Sequence, residues 1–325
     1  DTRCHSLKEV AMLKRLKKIT VLTLLGGCLL LLGSCGLPGL GGSAKDTIRI
    51  SSQSTTESQI LANIVSQLIA HETDNKVELV NNLGSSTVTH ESLIRGDADI
   101  ATSRYAGTEI TGTLKMKPTK DPKKAQTIVK REFKDRYQQT WFPTYGFADT
   151  YAFMVTQQMA KKYHLETVSD LGRVAKQLTA GVDSVWVNHE GDGYQEFKQT
   201  YGYDFKKVAP MQIGLVYSAL AAGKMDVVLG YSTDGRIKSY NLKVLKDDRH
   251  FFPPYDASLV ATDQILKQHP ELKPLLNRLS GQINLDTMQT LNYKVDNDLL
   301  EPAVVAKQFL TQHDYFKKGA NKWRI

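Results

Sequence analysis

Cysteine is scarce in this 325-residue chain, and its placement excludes more than its number does. The three cysteines, Cys4, Cys28 and Cys35, all lie near the N-terminus, so the rest of the chain forms no internal disulfide and must be held by a buried core. Long hydrophobic runs are lacking as well. The one pronounced run, Ile19 to Leu32, has 14 residues, too few to cross a hydrocarbon core of about 30 Å as a helix. Catalytic signatures are missing: there is no His-Glu-x-x-His, no Gly-x-Ser-x-Gly, no phosphate loop ending in Gly-Lys-Ser/Thr and no Gly-x-Gly-x-x-Gly. These absences count against an enzyme, and neither a metal nor a cofactor is expected. Charge of one sign is also in short supply. Of the net +8, residues 1–34 carry +4, and the remaining excess is too dispersed to argue for nucleic acid. The basic stretch Lys115 to Arg136 interleaves acids with bases at helical spacing and reads as a solvated helix face.

Lys14, Arg15, Lys17 and Lys18 precede the hydrophobic run, which ends in Leu32-Gly33-Ser34-Cys35. That layout is a secretory signal. Small residues before a cysteine resemble the lipobox of bacterial lipoproteins, which implies cleavage before Cys35 and a lipid thioether on its sulfur. Met12 stands where such a signal begins, so residues 1–11 are set aside from the fold. The Gly-rich segment Gly36 to Ser43 reads as a tether. The expected location is the extracellular face of the cell membrane. The roughly 290 residues after Cys35, with 41% hydrophobic content over the chain, suffice for one large or two medium domains.

Thr47 to Ser51 alternates with period two and predicts a strand, and Ser54-Thr55-Thr56-Glu57 has the spacing of a capping box. Ile60, Leu61, Ile64, Val65, Leu68 and Ile69 then form one apolar helical stripe. Strands are expected at Val77–Val80 and Ala98–Thr102, and helices at Thr87–Arg95 and from Pro122 to Tyr137 with Asp121 as cap. A second set follows. It has strands at Tyr151–Val155, Val182–Val187 and Asp226–Leu229, and helices at Gln157–Tyr163, Tyr194–Tyr201 and Leu215–Ala222. Beyond Pro253-Pro254 the chain reads as helical. This is α/β grammar.

The two sets share a fragment. Ser92 to Ile100, leading to Tyr105, matches Ala219 to Val227, leading to Tyr231: helix end, Gly, two residues, Asp, apolar strand, then Tyr. Two similar lobes would each deliver a tyrosine at the carboxyl end of a strand, where open α/β sheets bind ligands. The pair Asp97-x-Asp99 reads as turn chemistry, and Asn188 to Asp192 as a polar loop before a helix rather than metal ligands. Tyrosine is the commonest aromatic, with 14 against 10 Phe and 3 Trp. Tyr105, Tyr151, Tyr231 and Tyr255 all sit in polar turns or at strand ends. Each alone reads as a core or rim aromatic, but four at comparable positions raise the question of a cage.

Ile50-Ser51-Ser52-Gln53-Ser54-Thr55-Thr56-Glu57, Ser103-Arg104-Tyr105-Ala106-Gly107-Thr108, Ala148-Asp149-Thr150-Tyr151 and Gly230-Tyr231-Ser232-Thr233-Asp234-Gly235 carry a resemblance. In order and spacing the chain resembles the substrate-binding lipoproteins of osmoprotectant ABC importers of Gram-positive bacteria, which take up glycine betaine, carnitine and choline. The resemblance implies a two-lobed, periplasmic-binding-protein-like fold of type II. Its two hinge crossings are expected near Phe142–Tyr145 and Val244–Phe252. The corresponding division is leader 1–34, tether 35–45, first lobe 46–142, second lobe 143–248, and a return with C-terminal helices over 249–325. It also implies an aromatic cage of Tyr105, Tyr151, Tyr231 and Tyr255, with Gln53 and Thr108 at the polar end of the ligand. Some relatives carry Asp where this chain has Thr108, and a neutral hydroxyl does not repel a ligand carboxylate. That favours carnitine and glycine betaine, with choline also accepted.

The physics agrees with such a cage. A trimethylammonium group has no proton to donate and gains from the negative faces of aromatic rings, about 0.5–2 kcal/mol per ring. The expected partners are this ligand, an ABC permease and its ATPase, with a monomeric binding protein anchored through Cys35. Two alternatives stand beside this reading: an amino-acid-binding importer subunit, whose ligand would need a partner for its protonated amine, and an exported transferase on the same scaffold.

Overall fold

The computed structural model describes residues 47–189 and 191–316; the leader, the tether with Cys35 and the 317–325 tail lie outside the described residues. The first set comprises β1 (Thr47–Gln53), α1 (Thr56–Glu72), β2 (Lys76–Leu83), α2 (Ser86–Arg95), β3 (Ile100–Tyr105), α3 (Ala106–Gly112), α4 (Pro122–Tyr137) and β4 (Gln139–Ala148). The second comprises β5 (Tyr151–Thr156), α5 (Gln157–Tyr163), α6 (Val168–Leu171), β6 (Thr179–Asp183), α7 (Tyr194–Tyr201), β7 (Lys207–Met211), α8 (Ile213–Ala221), β8 (Val227–Tyr231), α9 (Arg236–Ser239) and β9 (Leu242–Val244). The chain returns through β10 (Asp256–Thr262), α10 (Asp263–Gln268), α11 (Leu272–Asn277), α12 (Leu285–Asp296) and α13 (Pro302–Gln312). Among the described residues no helix is long and apolar enough to cross a membrane.

Two mixed sheets result, ordered β2-β1-β3-β10-β4 and β7-β6-β8-β5-β9. They correspond strand for strand. In each, three parallel strands are followed by one antiparallel strand borrowed from elsewhere in the chain, β10 in the first sheet and β5 in the second. The fragment repeated in the sequence falls on equivalent places. Gly96 and Gly223 both adopt left-handed backbone, with φ of 74° and 66°, as the turn after α2 and after α8 requires. Asp99 Oδ2 then accepts the Arg49 N–H of β1 at 2.8 Å, and Asp226 Oδ2 accepts the Thr179 N–H of β6 at 2.8 Å. Each aspartate ties its strand to the neighbouring one, which is the turn chemistry expected for Asp99.

The α1 stripe Ile60, Leu61, Ile64, Val65, Leu68 and Ile69 is fully buried against the first sheet, with α12 and α13 packed over α1. Helices α2 to α4 cover the opposite face around Phe133 and Trp141. The second sheet buries Phe153, Trp186, Phe197 and Phe252 on one face and Met154, Tyr217 and Val228 on the other.

Both crossings lie later than expected. Residues 143–148 continue β4, pair with β10 and bury Tyr145 and Phe147 in the first core, so the chain changes sheet between Ala148 and Tyr151. On the way back Phe251 and Phe252 are still held in the second core, which moves the return to Pro253–Tyr255. Burial of these aromatic side chains sets both boundaries.

Candidate functional site

Parallel strands end on the same side of each sheet, and those ends face one cleft. Gln53 closes β1, Tyr105 closes β3 and Thr108 lies in the first turn of α3, while Tyr231 closes β8, Tyr151 opens the antiparallel β5 opposite it, and Tyr255 precedes β10. All six border a single cleft of about 1330 Å³ lined by both lobes.

Three of the four phenols give their hydroxyls to acidic side chains. Tyr105 donates to Glu57 Oε1 at 2.6 Å, Tyr151 to Asp183 Oδ2 at 2.9 Å and Tyr255 to Asp192 Oδ2 at 3.0 Å. Asp183 and Asp192 are buried and do not themselves border the cleft. The rings of Tyr151 and Tyr255 therefore meet the cleft while their polar ends reach behind its wall. Tyr231 lies with its ring 5.3 Å from that of Tyr151, and its backbone N–H donates to the Tyr217 hydroxyl at 2.7 Å. Burial drives the Tyr231 phenol up to about 12 and pushes those of Tyr105, Tyr151 and Tyr255 higher still, so all four remain neutral.

The first turn of α1 differs from the expected capping box by one residue. Thr55 is the cap, Ser58 reaches back to the Gln53 N–H at 2.7 Å, and Glu57 is turned toward Tyr105 instead of the helix terminus. Burial raises the Glu57 carboxyl above its ordinary range. Asp149 is raised further, by burial and then by the nearby Glu57, while its Oδ1 accepts the Thr233 hydroxyl at 2.9 Å. Arg236 also borders the cleft, but Asp234 holds its guanidinium in two bonds, at 2.9 and 2.6 Å, over the Tyr217 ring.

Arg104 and Glu109 flank the lining residues Tyr105 and Thr108 and serve the wall from behind. Both are fully buried; Arg104 donates to the Ser86 carbonyl at 2.7 Å and to Glu109 Oε2 at 2.5 Å. They fix the start of α2, whose Ser85 to Thr87 border the cleft. The residues that sequence reasoning missed are Glu57, Asp183 and Asp192 as partners of phenols. Asp183 lies inside the strand expected over Val182–Val187, and only the sheet order shows that it ends β6, the counterpart of β1, which ends in Gln53. Asp192 lies in the segment read as a polar loop, and only the fold brings Tyr255 to it.

Residues 46–312 match the family model described as the substrate-binding domain of ABC-type glycine betaine transport systems. The chain belongs to that family. It is 58% identical over 288 residues to the carnitine transport binding protein OpuCC of Listeria monocytogenes, covering 89% of this chain and 94% of that one. A glycine-betaine-binding protein of Pseudomonas aeruginosa is 30% identical over 300 residues, 89% of this chain and 95% of that one. The structure superposes on a crystal structure described as a glycine betaine/carnitine/choline ABC transporter with a TM-score of 0.80 at 58% identity, covering 83% of this chain and all of the other. Membership makes this chain a solute-binding component of a membrane ABC transporter, with a small-molecule ligand and a permease and ATPase as partners. Its fold is the two-lobed α/β fold of those binding proteins.

Proposed function

We propose that this chain captures quaternary-ammonium compatible solutes, carnitine and glycine betaine foremost and choline as well, in a cage of Tyr105, Tyr151, Tyr231 and Tyr255. The lobes close on the ligand, which passes unchanged to the permease. The observation that carries this reading is four neutral phenols on one cleft, three of them with their hydroxyls bound to acidic side chains. Such a wall presents ring faces to a cation that cannot form hydrogen bonds. Thr108 and Gln53 border the same cleft and suit the polar end of the ligand, and at 108 no fixed anion opposes a ligand carboxylate. The relatives at 58% identity carry the names of carnitine, glycine betaine and choline.

Calorimetry with carnitine, glycine betaine and choline tests the ligand class; a folded sample that gives no heat with any of them rejects it. Tyr231→Ala is expected to weaken binding by at least the contribution of one ring, about 0.5–2 kcal/mol or roughly 2- to 30-fold in Kd. Tyr240→Ala, on an exposed residue outside the cleft, is expected to leave it unchanged. Equal losses would reject the cage. We also infer a monomer anchored at the outer face of the membrane through a lipid on Cys35. Cys35→Ser should then move the protein from the membrane fraction to the medium, and retention in the membrane would refute the anchor.

A further inference from the structure

Two of the cage tyrosines give their hydroxyls to buried carboxylates that do not border the cleft. Asp183 is 4% exposed; its Oδ2 takes the Tyr151 hydroxyl at 2.9 Å and its Oδ1 the Val185 N–H at 3.3 Å. Asp192 is 1% exposed; its Oδ2 takes the Tyr255 hydroxyl at 3.0 Å, its Oδ1 meets His189 Nδ1, and its carbonyl accepts from Trp186 Nε1 at 2.6 Å. We propose that Asp183 and Asp192 are specificity-determining residues, whose negative charge, relayed through the hydroxyls of Tyr151 and Tyr255, makes the cage select a cationic head over a neutral one of the same shape.

The argument is electrostatic. A hydroxyl that donates to a carboxylate is polarised toward the phenolate, which raises electron density on its oxygen and ring and deepens the negative face. The attraction between a cation and a ring is governed by that face. In a buried site the effect is weakly screened, because little water lies between the carboxylate and the ring. Burial keeps both phenols neutral, so the proton stays on oxygen and each pair acts as a fixed dipole ending in a charge. Shape and charge are thereby separable: the rings exclude what does not fit, and the aspartates behind them strengthen the hold on what carries a positive charge, leaving its neutral isostere without that gain.

This rests on the quaternary-ammonium reading, and the test separates the two. Choline and its carbon analogue 3,3-dimethylbutan-1-ol have the same outline and differ by one charge. Asp183→Asn and Asp192→Asn keep volume and an oxygen that accepts the phenol proton. Each is expected to weaken choline about ten-fold while the alcohol, measured by competition, changes by less than about two-fold. A parallel loss for both ligands would mean that the aspartates only position the rings, and undiminished choline binding would mean that they do nothing; either overturns the proposal. In a cycle with Tyr151→Phe, which keeps the ring and removes the hydroxyl, the double variant with Asp183→Asn should lose no more than the larger single loss, whereas additive losses would show the carboxylate acting without the hydroxyl relay. If the unaltered protein binds no choline, betaine or carnitine, it is the proposed function that fails.

Discussion

At the scale of single residues, this protein repeatedly places an ionisable group where only one protonation state fits. His90 is 6% exposed, its ring 4.5 Å from that of Tyr137 and 5.7 Å from that of Phe133 in edge contacts. Its burial, and secondarily the charge of Arg104, pull it down from 6.5 to about 4. The unfolded chain therefore takes up a proton near pH 6.5 that the folded protein refuses until about pH 4. The stability that neutral His90 contributes is complete above the unfolded value and is lost as pH falls across that window. A gap of this size corresponds to about 3 kcal/mol. Urea unfolding at pH 7 and pH 4.5 should show His90→Phe losing less stability on acidification than the unaltered protein, and an equal loss in both would refute the assignment. Glu57 and Asp149 run the other way: burial favours their protonated forms, so they oppose folding more at neutral pH than in mild acid.

Individual elements were legible to different degrees, for identifiable reasons. α4 begins at Pro122 with Asp121 Oδ1 accepting the Lys123 and Lys124 N–H groups at 2.9 and 3.2 Å, as cap and proline dictate locally. α7 also spans its expected Tyr194–Tyr201. β4 was not legible as a strand because it contains Pro143 and Gly146, which argue against a ladder interior. It tolerates them as the last strand of its sheet, and β7, with Pro210, is the edge of the other. β10 escaped notice for the opposite reason. Its interior, Ala257 to Ala261, is buried throughout between β3 and β4, so no period-two alternation marks it. The expected strand over Val182–Val187 ends at Asp183, and a 3₁₀ turn, Trp186–Asn188, follows. There Trp186 enters the aromatic core and Asp183 is freed to meet Tyr151.

Across the whole molecule, the lobes meet at more than the two crossings. α12, from the returning chain, lies against α9 of the second lobe: Asn292 Nδ2 donates to the Thr233 carbonyl at 2.8 Å and Lys238 Nζ to Asp286 Oδ1 at 2.7 Å. Gly235 sits in this seam so closely that a Cβ would fall 2.4 Å from the Tyr293 nitrogen and 2.5 Å from its Cα. Because backbone is the obstacle, neither side can rotate away, and Gly235→Ala must pry the lobes apart. A closed population reduced by about 2 kcal/mol lowers apparent affinity about 30-fold. Calorimetry should show such a loss while the empty protein unfolds at nearly the same temperature. Undiminished affinity would show that binding does not need this seam shut.

What the sequence determined by itself was local and compositional: the Asp121 cap of α4, the apolar stripe of α1 and the left-handed glycines after α2 and α8, while the resemblance of its motifs pointed to the six residues that border the cleft. These follow from short-range sterics, from periodicity, and from short motifs that resemble those of a known family. What only the tertiary structure decided was long-range. The insertion of β10 between β3 and β4, the sheet change after Ala148, and the meeting of Tyr151 with Asp183 and of Tyr255 with Asp192 all join residues distant in sequence. No local preference encodes them, because a carboxylate selects its phenol only after two sheets have been packed and their strand ends turned toward each other.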